Sequence, residues 1–468
     1  MTSKYQIVKG FRDILFEESR LFFSCEMLAR ELFARYGYQE IRLPILEYQE
    51  LFVRSIGEST DIVEKEMFSF PDKRGRMLVL RPEATASVVR AYLENQLYNK
   101  PGVKLFYIGP MFRYERPQKG RYRQFWQIGA EAIGFPGPAI DAELLALLDQ
   151  YFKTLGLEKI ELKLNSLGCK KCRPAYREAL IQYLEKHKNQ LCSDCQKRVE
   201  RNPLRVLDCK QQECQKTIKS APVPGDFLCS GCQEHFKNLL NLLEKLNISC
   251  QIEEHLVRGL DYYTKTVFEF QAKSGLGAQN TICAGGRYDD LVEELGGPST
   301  PATGFALGLE RLALLLKEKI PPEKLLLRPE VFIIFADPQG YDFAFSLLFS
   351  LRRAGIYAEM CLDEPGKSLR AQLRVADREK AKSALIIGEE EIQEKSLNLK
   401  FLDSGKSLKI KYSQLKEMAE IDWASLREEL KGVGFAFVSS EYQEILAENQ
   451  QLFTIFKIYL EEMEKQEG

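Results

Sequence analysis

The sequence predicts an α+β core, an antiparallel sheet flanked by helices, with a helical cysteine-rich insertion and a separate C-terminal α/β domain. Three observations lead there. At 468 residues the chain is too long for one compact domain, so two or three are expected. Two apolar, β-rich runs flank a long basic loop in Phe106–Glu131, FYIGPMFRYERPQKGRYRQFWQIGAE. Farther on, EVFIIFAD, IYAEMCLD and KSALIIGEE read as buried strands separated by helical stretches, an alternation that predicts a largely parallel sheet.

Taken in order, Ser19–Tyr36 has helical periodicity and stops at Gly37. Tyr38–Phe52, YQEIRLPILEYQELF, reads as a strand broken at Pro44, or as an edge strand, where proline is tolerated. Arg76–Asn95 reads as a strand leading into a helix. KLFYIGPMFRYE and RQFWQIGAEAIG are the strands around the basic loop. Asp141–Gly156 is an apolar-faced helix, and Lys159–Ser166 alternates as a strand does. Cys169–Leu246 changes texture. It is mostly helical, rich in Cys and Lys, and interrupts a pattern that resumes at Glu254. Glu318–Glu330 is a linker, and Glu441–Lys465 has an amphipathic helical pattern. The expected division is a core of 1–168 and 249–320, an insertion at 169–248, the α/β domain at 329–416, and an extension, 417–468, with no assigned role.

A net charge of -1 and 45% apolar residues are those of an ordinary soluble protein. No apolar run reaches the ~20 residues that span a bilayer. The N-terminus MTSKYQIVKGFRD lacks the apolar core of a secretory signal. A cytoplasmic location without membrane contact is expected. Near-neutrality does not exclude nucleic acid, which needs only a local basic surface. The basic loop is one candidate. Ser368–Lys382 is another, with Arg370, Arg374, Arg378, Lys380 and Lys382, although a solvated helix face reads the same way.

Arg113, Arg116, Lys119, Arg121 and Arg123 crowd one hairpin together with Glu115 and Glu131. An acid ending an apolar run such as FWQIGAE points to a wall that faces a ligand. The hairpin suits a phosphate-rich molecule at its loop and a small polar molecule at its base. FALGLERLALLL is apolar around nearly the whole helix, so Glu310 and Arg311 are charges in a buried element, paired internally or bound to ligand. The glycines of AGGRYDDL (Ala284–Leu291) suit a hairpin turn or a close backbone approach to a ligand.

These segments resemble the motifs of class II aminoacyl-tRNA synthetases in the form seen in bacterial histidyl-tRNA synthetases. Phe106–Glu131 resembles class II motif 2, Leu256–Phe270 (LVRGLDYYTKTVFEF) the histidine-specific motif, and Thr303–Leu316 (TGFALGLERLALLL) motif 3. LRPEATA (Leu80–Ala86) lies before motif 2, and Tyr38–Phe52 resembles motif 1, which builds a dimer interface. The resemblance runs from about Gly10 to Lys416. It implies a class II antiparallel catalytic sheet, a homodimer, and an anticodon-binding role for the α/β domain. The implied reaction activates histidine with ATP and Mg2+ and transfers histidyl to tRNA(His).

The chemistry needs cations, because a carboxylate must approach the α-phosphate of ATP while pyrophosphate leaves. Arginine suits this, with a permanent charge and a fixed fork of donors. By resemblance Arg113 and Arg258 flank the α-phosphate, are the catalytic residues and also bind histidine, Arg113 through the substrate carboxylate; Arg113 is also part of the ATP site. Arg311 stacks on adenine, and Glu115 and Arg121 complete the ATP site. Both ring nitrogens of imidazole need polar partners, and Glu131 and Tyr263 are implied. Glu83 and Thr85 are placed for the α-ammonium, with Gln127 and Tyr262 lining the pocket. Gln118 and Arg123 would meet the acceptor end of the tRNA. Ala84 and Ala130 depart from the family's usual residues without removing a functional group. A regulatory paralogue that only binds histidine would have lost key arginines, and this chain keeps all three.

Eight of the twelve cysteines fall in the insertion: Cys169, Cys172, Cys192, Cys195, Cys209, Cys214, Cys229 and Cys232. Three CxxC pairs and one wider pair form a zinc-like pattern, and eight thiolates would fill two tetrahedral sites. The insertion has few large apolar residues, so structural Zn2+ would help it fold. One zinc site with spare thiols, or reduced thiols packed as small hydrophobes, fits as well. Spacing does not fix the pairing.

Overall fold

The computed structural model describes residues 5–411, apart from 58–59, 277–279, 321–327, 337, 363–366 and 395, together with 454–455, 457–459, 462 and 465. The chain divides into two compact units, Met1–Leu326 and Leu327–Gly468.

The first unit opens with α1 (Phe16–Arg35), whose buried stripe Leu21, Phe22, Cys25, Ala29, Leu32 and Phe33 follows the helical period. Strands β1 (Gln39–Glu40) and β2 (Leu46–Tyr48) come next, then α2 (Gln49–Ile56). The strand read over Tyr38–Phe52 is broken at Pro44 as expected, and is corrected at its end, where Gln49–Phe52 is helical. Phe52, Ser55 and Ile56 recur at helical spacing, and α2 buries them. A hairpin, β3 (Phe68–Pro71) and β4 (Met77–Leu80), leads into α3 (Thr85–Glu94), and β2, β4 and β3 form a small antiparallel sheet. The strands β5 (Val103–Phe112) and β6 (Gln124–Ile133) flank the basic loop, and α4 (Pro138–Thr154) and β7 (Ile160–Ser166) follow.

The insertion contributes α5 (Arg173–Lys186), α6 (Ser193–Arg201), α7 (Gln212–Ile218) and α8 (Ser230–Lys245). The first unit then closes with β8 (Cys250–Ile252), β9 (Thr264–Ala272), β10 (Thr281–Arg287), α9 (Leu291–Glu294), β11 (Ala302–Gly308) and α10 (Leu309–Lys317).

The main sheet runs β1-β5-β6-β11-β10-β9-β7-β8. Its centre is antiparallel, with parallel pairs only at the edges, β1/β5 and β7/β8. Strand alternation sorts the side chains into two cores. Ile128, Ala130 and Ala132 of β6 join Phe268, Phe270, Phe305 and Leu307 beneath α1, α4, α8 and α10. On the other face, Leu105, Tyr107 and Val267 pack with Tyr262, Tyr263 and the insertion's Leu180, Val199 and Leu207. The insertion therefore has more apolar packing than its composition suggests, because it borrows the core of the unit it interrupts.

The junction is also polar. Arg287, fully buried, pairs with Asp141 of α4 at 2.8 Å and with Asp289 at 3.0 Å. The other oxygen of Asp141 lies 2.8 Å from His235 Nε2 on α8. Removing one member would leave a buried charge without its partner.

The second unit holds β12 (Val331–Phe335), α11 (Pro338–Arg353), β13 (Ala358–Met360), α12 (Leu369–Arg378), β14 (Ser383–Ile387), α13 (Glu389–Gln393), β15 (Ser396–Phe401) and β16 (Ser407–Lys411). The sheet order is β13-β12-β14-β15-β16. Strands β13, β12 and β14 are parallel, but β15 and β16 add antiparallel, so the sheet is mixed rather than largely parallel. Of the C-terminal helix read at Glu441–Lys465, only parts lie within the described residues. Ile455, Ile458 and Tyr459 there are buried in the core of this unit. Tyr459 donates to Ser396 O at 3.1 Å, and Ser350 donates to Glu462 at 2.6 Å.

Candidate active site

The site lies on the face of the main sheet that carries Tyr107, Glu131 and Val267. Glu131 is fully buried near the end of β6, opposite Gly304 of β11, which is opposite Gly286 of β10. Gly304 leaves room for the Glu131 carboxylate, and Gly286 lets Thr266 O and the Tyr263 ring approach the strand closely. A methyl group at Gly304 would overlap Glu131 Oε2, and one at Gly129 would overlap the Tyr107 hydroxyl. The glycines of β10 therefore serve close approach within a strand, and the turn reading is set aside.

Glu131 accepts hydrogen bonds from Thr85 Oγ1 at 2.7 Å and from the Tyr288 hydroxyl at 2.6 Å. Burial outweighs these two bonds and pushes its carboxyl up to about 8, with Glu83 nearby adding to the rise. Glu83 itself accepts from the backbone N–H of Thr85 at 2.6 Å and of Ala86 at 2.9 Å. It thus caps α3 and fixes the start of that helix against the pocket. Tyr262 and Tyr263 are buried with ring centroids 4.7 Å apart, and Tyr262 packs against Tyr288 at 5.7 Å. Gln127 Oε1, Tyr107 Oη and Arg258 Nε are buried polar atoms without a hydrogen-bond partner among the described residues. Such atoms are uncommon in a packed interior and mark a place for a polar ligand.

The arginines converge from three elements. Arg113, leaving β5, donates to Pro82 O at 2.9 Å and lies 5.4 Å over the Phe125 ring. Arg258 forms an ion pair with Glu269 of β9. Glu269 also accepts from Thr281 Oγ1 at 2.7 Å, and the carbonyl of Thr281 accepts from Arg311 Nη1 at 2.5 Å. Burial lowers the pKa of Arg311, and the charges of Arg121, Arg113 and Arg258 lower it further. Burial, with Arg258 nearby, also lowers that of Arg113. Cations held within one another's field are a ready site for a polyanion. Glu310 accepts from the Trp126 backbone N–H with both oxygens, at 3.0 and 3.1 Å, and burial pushes its carboxyl up to about 7.

At the basic loop, Glu115 pairs with Arg121. A cleft of about 600 Å3 opens there, lined by Lys65, Glu66, Tyr114, Arg116 and Gln118, among others. Arg123 stacks 3.7 Å from the Tyr114 centroid and donates to Lys9 O at 3.2 Å, which ties the loop to the N-terminal segment. Gln118 is exposed at the tip.

Residues 10–312 match the sequence profile of the family described as Histidyl-tRNA synthetase, and residues 330–420 match that described as Anticodon binding domain. The chain belongs to the histidyl-tRNA synthetase family. A histidine–tRNA ligase of Syntrophotalea carbinolica is 50% identical over 401 residues, 85% of this chain and 94% of its own length. One of Aquifex aeolicus is 49% identical over 411 residues, 88% and 99% of the two lengths. The apo histidyl-tRNA synthetase of S. aureus is similar at TM-score 0.72 and 36% identity, covering 88% of this chain and 99% of that one. Membership in the histidyl-tRNA synthetase family makes the chain an aminoacyl-tRNA ligase.

Three features of this synthetase site escaped the sequence reading: Tyr288, Glu269 and the room that Gly304 leaves for the Glu131 carboxylate. Glu269 carried a usable signal, a lone acid in the apolar strand TVFEFQA, the same kind that marked Glu131. Tyr288 was missed because only the glycines of Ala284–Leu291 were singled out.

The insertion gathers its eight cysteines into two groups, Cys169–Cys172–Cys229–Cys232 and Cys192–Cys195–Cys209–Cys214, with all sulfurs of a group within 4.8 Å of one another. The Cys169–Cys172, Cys169–Cys229 and Cys192–Cys209 sulfur pairs are 3.7, 3.9 and 3.9 Å apart. A tetrahedron of sulfurs at zinc bonding distance has edges of about 3.8 Å. Either group has the donors to hold a soft or borderline metal ion.

Proposed function

We propose that this chain activates histidine with Mg-ATP and transfers the histidyl group to tRNA(His), using the site described above. The observation that supports it best is the convergence of Arg113, Arg258 and Arg311 beside the buried Glu131 pocket. In the first step an oxygen of the histidine carboxylate attacks the α-phosphorus. The bond from that phosphorus to the bridging oxygen breaks, and pyrophosphate leaves. Arg113 and Arg258 approach the reacting phosphate from two sides and offset the charge gathered in the transition state. Arg311, with Glu115 and Arg121, serves the adenine and outer phosphates. In the second step a hydroxyl of the terminal ribose of tRNA attacks the adenylate carbonyl carbon, and AMP leaves.

Histidine sits with its ring toward Glu131 and Tyr263, within reach of Gln127 and Tyr262, and its ammonium toward Glu83 and Thr85. An empty Glu131 holds its proton near neutrality, and an imidazole N–H donated to it favours the ionised form. Rejecting amino acids that cannot satisfy these polar atoms needs no editing step.

Gln118 and Arg123 are assigned to the acceptor end. The anticodon falls to the second unit, where Arg370, Arg374, Arg378, Lys380 and Lys382 are all exposed on or beside α12. Both cysteine groups hold structural zinc. The working form is a homodimer. Ile45, Leu46 and Tyr48 of the motif 1 segment, with Phe70 and Met77 of the adjoining hairpin, are between 40% and 46% exposed, an apolar surface suited to a second copy. No helix among the described residues is long and apolar enough to cross a membrane, and the expected place of work is the cytoplasm.

The test is ATP–pyrophosphate exchange with each of the twenty amino acids. Exchange with histidine alone is expected. Exchange with another amino acid would overturn the specificity. No exchange, with histidine still bound, would turn the reading toward a histidine-binding regulator.

A further inference from the structure

The second cysteine group stands next to the Arg258 segment. Cys192 and Cys195 lie at the start of α6, and Cys209 and Cys214 close residues 196–208 into a loop. Three side chains of that loop reach the substrate-binding layer. Asn202 Nδ2 donates to both carboxylate oxygens of Asp261 at 2.9 Å. Arg205, only 8% exposed, donates to the carbonyl of Arg258 at 3.5 Å and pairs with Asp61 at 3.4 Å. Arg198 pairs with the same Asp61 at 2.9 Å. The apolar side of the loop, Val199, Val206 and Leu207, shares a core with Val257, Tyr262 and Tyr263.

We propose that a zinc ion at Cys192, Cys195, Cys209 and Cys214 positions the Arg258–Asp261 turn for adenylate formation, acting through Asn202 and Arg205. This rests on the zinc reading above and adds a role to one of the two sites. A four-thiolate metal closes the loop and offsets the entropy of ordering it. The ordered loop then holds the main chain of the turn from behind, so that Arg258 meets the α-phosphate without first being arranged. The other group differs in what it ties together. Cys169 and Cys172 directly follow β7, and Cys229 and Cys232 begin α8, so that site joins the two ends of the insertion. Asn202 and Arg205 are positioning residues, because they touch the turn rather than the substrate.

The experiment uses the full-length chain. Metal analysis is expected to give two zinc ions per chain, and Cys209→Ser/Cys214→Ser to retain one. Asn202→Ala and Arg205→Ala leave all eight thiols in place. They are expected to keep two zinc ions, an unchanged thiolate-to-cobalt absorption after metal exchange, and a folded chain at the assay temperature, with the thermal midpoint lowered by the lost buried contacts. In histidine-dependent exchange their kcat is expected to fall by between about tenfold and a hundredfold, with KM for histidine unchanged. Arg205→Lys is expected to recover part of the loss. If both alanine variants keep two zinc ions and full kcat, the positioning role is overturned while the zinc reading stands. If the wild-type chain carries no zinc, the zinc reading fails and this proposal fails with it.

Discussion

In the proposed reaction Arg258 serves the phosphate and Glu131 the histidine ring, so their removal is expected to separate chemistry from binding. Arg258→Ala takes a cation from the phosphate side. It is expected to leave the histidine Kd nearly unchanged and to slow adenylate formation by about a hundredfold or more. Glu131→Ala removes a buried acceptor and is expected to weaken histidine binding at least tenfold, for a loss of about 1.4 kcal/mol or more. Calorimetry and single-turnover kinetics on both variants check the split, and equal losses in both measurements would contradict it. Glu131 also gives a pH signature. Its folded-state carboxyl, at about 8, lies above the ordinary value of 4.5. Between these values the folded chain holds a proton that the unfolded chain has released. Stability therefore falls as pH rises through that window, by up to about 1.4 kcal/mol per pH unit from this group. Glu131→Gln is expected to flatten the fall. Urea midpoints from pH 5 to pH 9 would show it, and parallel curves for the two proteins would rule it out.

Among the elements, legibility followed periodicity. The hairpin β5–β6 could be read because two apolar, β-rich runs, each a strand of ten residues, flank a basic loop. The helix α2 could not, because EYQELF is short enough to fit either period and only its packing on Phe52 and Ile56 decides. Glycines mislead in a similar way. Gly286 and Gly304 lie mid-strand, and what requires them is the Thr266 carbonyl of the neighbouring strand at the first and the Glu131 carboxylate at the second, which sequence adjacency does not reveal. The cysteine pairing needed the fold for the same reason, since it brings Cys169 and Cys229 together across most of the insertion. The roles of the three arginines could be named only because their motifs resembled a known family; residue chemistry alone left an internal ion pair open for Glu310 and Arg311. One element gained a contact from the structure. Tyr459 packs edge-on to Phe343 at 5.5 Å and is 1% exposed. Tyr459→Ala is expected to destabilise the second unit by about 3 kcal/mol. Thermal unfolding measured with the full chain tests this, and an unchanged midpoint would mean that the C-terminal segment adds nothing to that unit.

For the whole molecule, the exposed apolar surface around Leu46 makes assembly part of the catalytic argument. The segment that carries Leu46 pairs with β4, and β4 leads through Arg81 into the Glu83 cap. Arg81 holds the carbonyls of Leu43 at 2.9 Å and Pro110 at 3.0 Å, so motif 1 and motif 2 share one buried guanidinium. A second copy seated on motif 1 would therefore steady the hairpin that bears Arg113. Leu46→Glu with Tyr48→Glu is expected to shift the chain from dimer to monomer in sedimentation and to lower exchange activity together with it. A monomer with full activity would separate assembly from catalysis.

The Glu131 carboxylate lies against bare main chain at Gly304, which is paired with strands on both sides within the sheet. A side-chain wall can swing aside to admit a misfit, but this one cannot move without parting strands. The seat of Glu131 in the proposed amino-acid pocket is thus decided once, when the sheet forms, and not renegotiated with each visiting ligand. Discrimination against wrong amino acids is then expected to hold nearly constant as temperature rises, and to fail abruptly when the sheet itself opens.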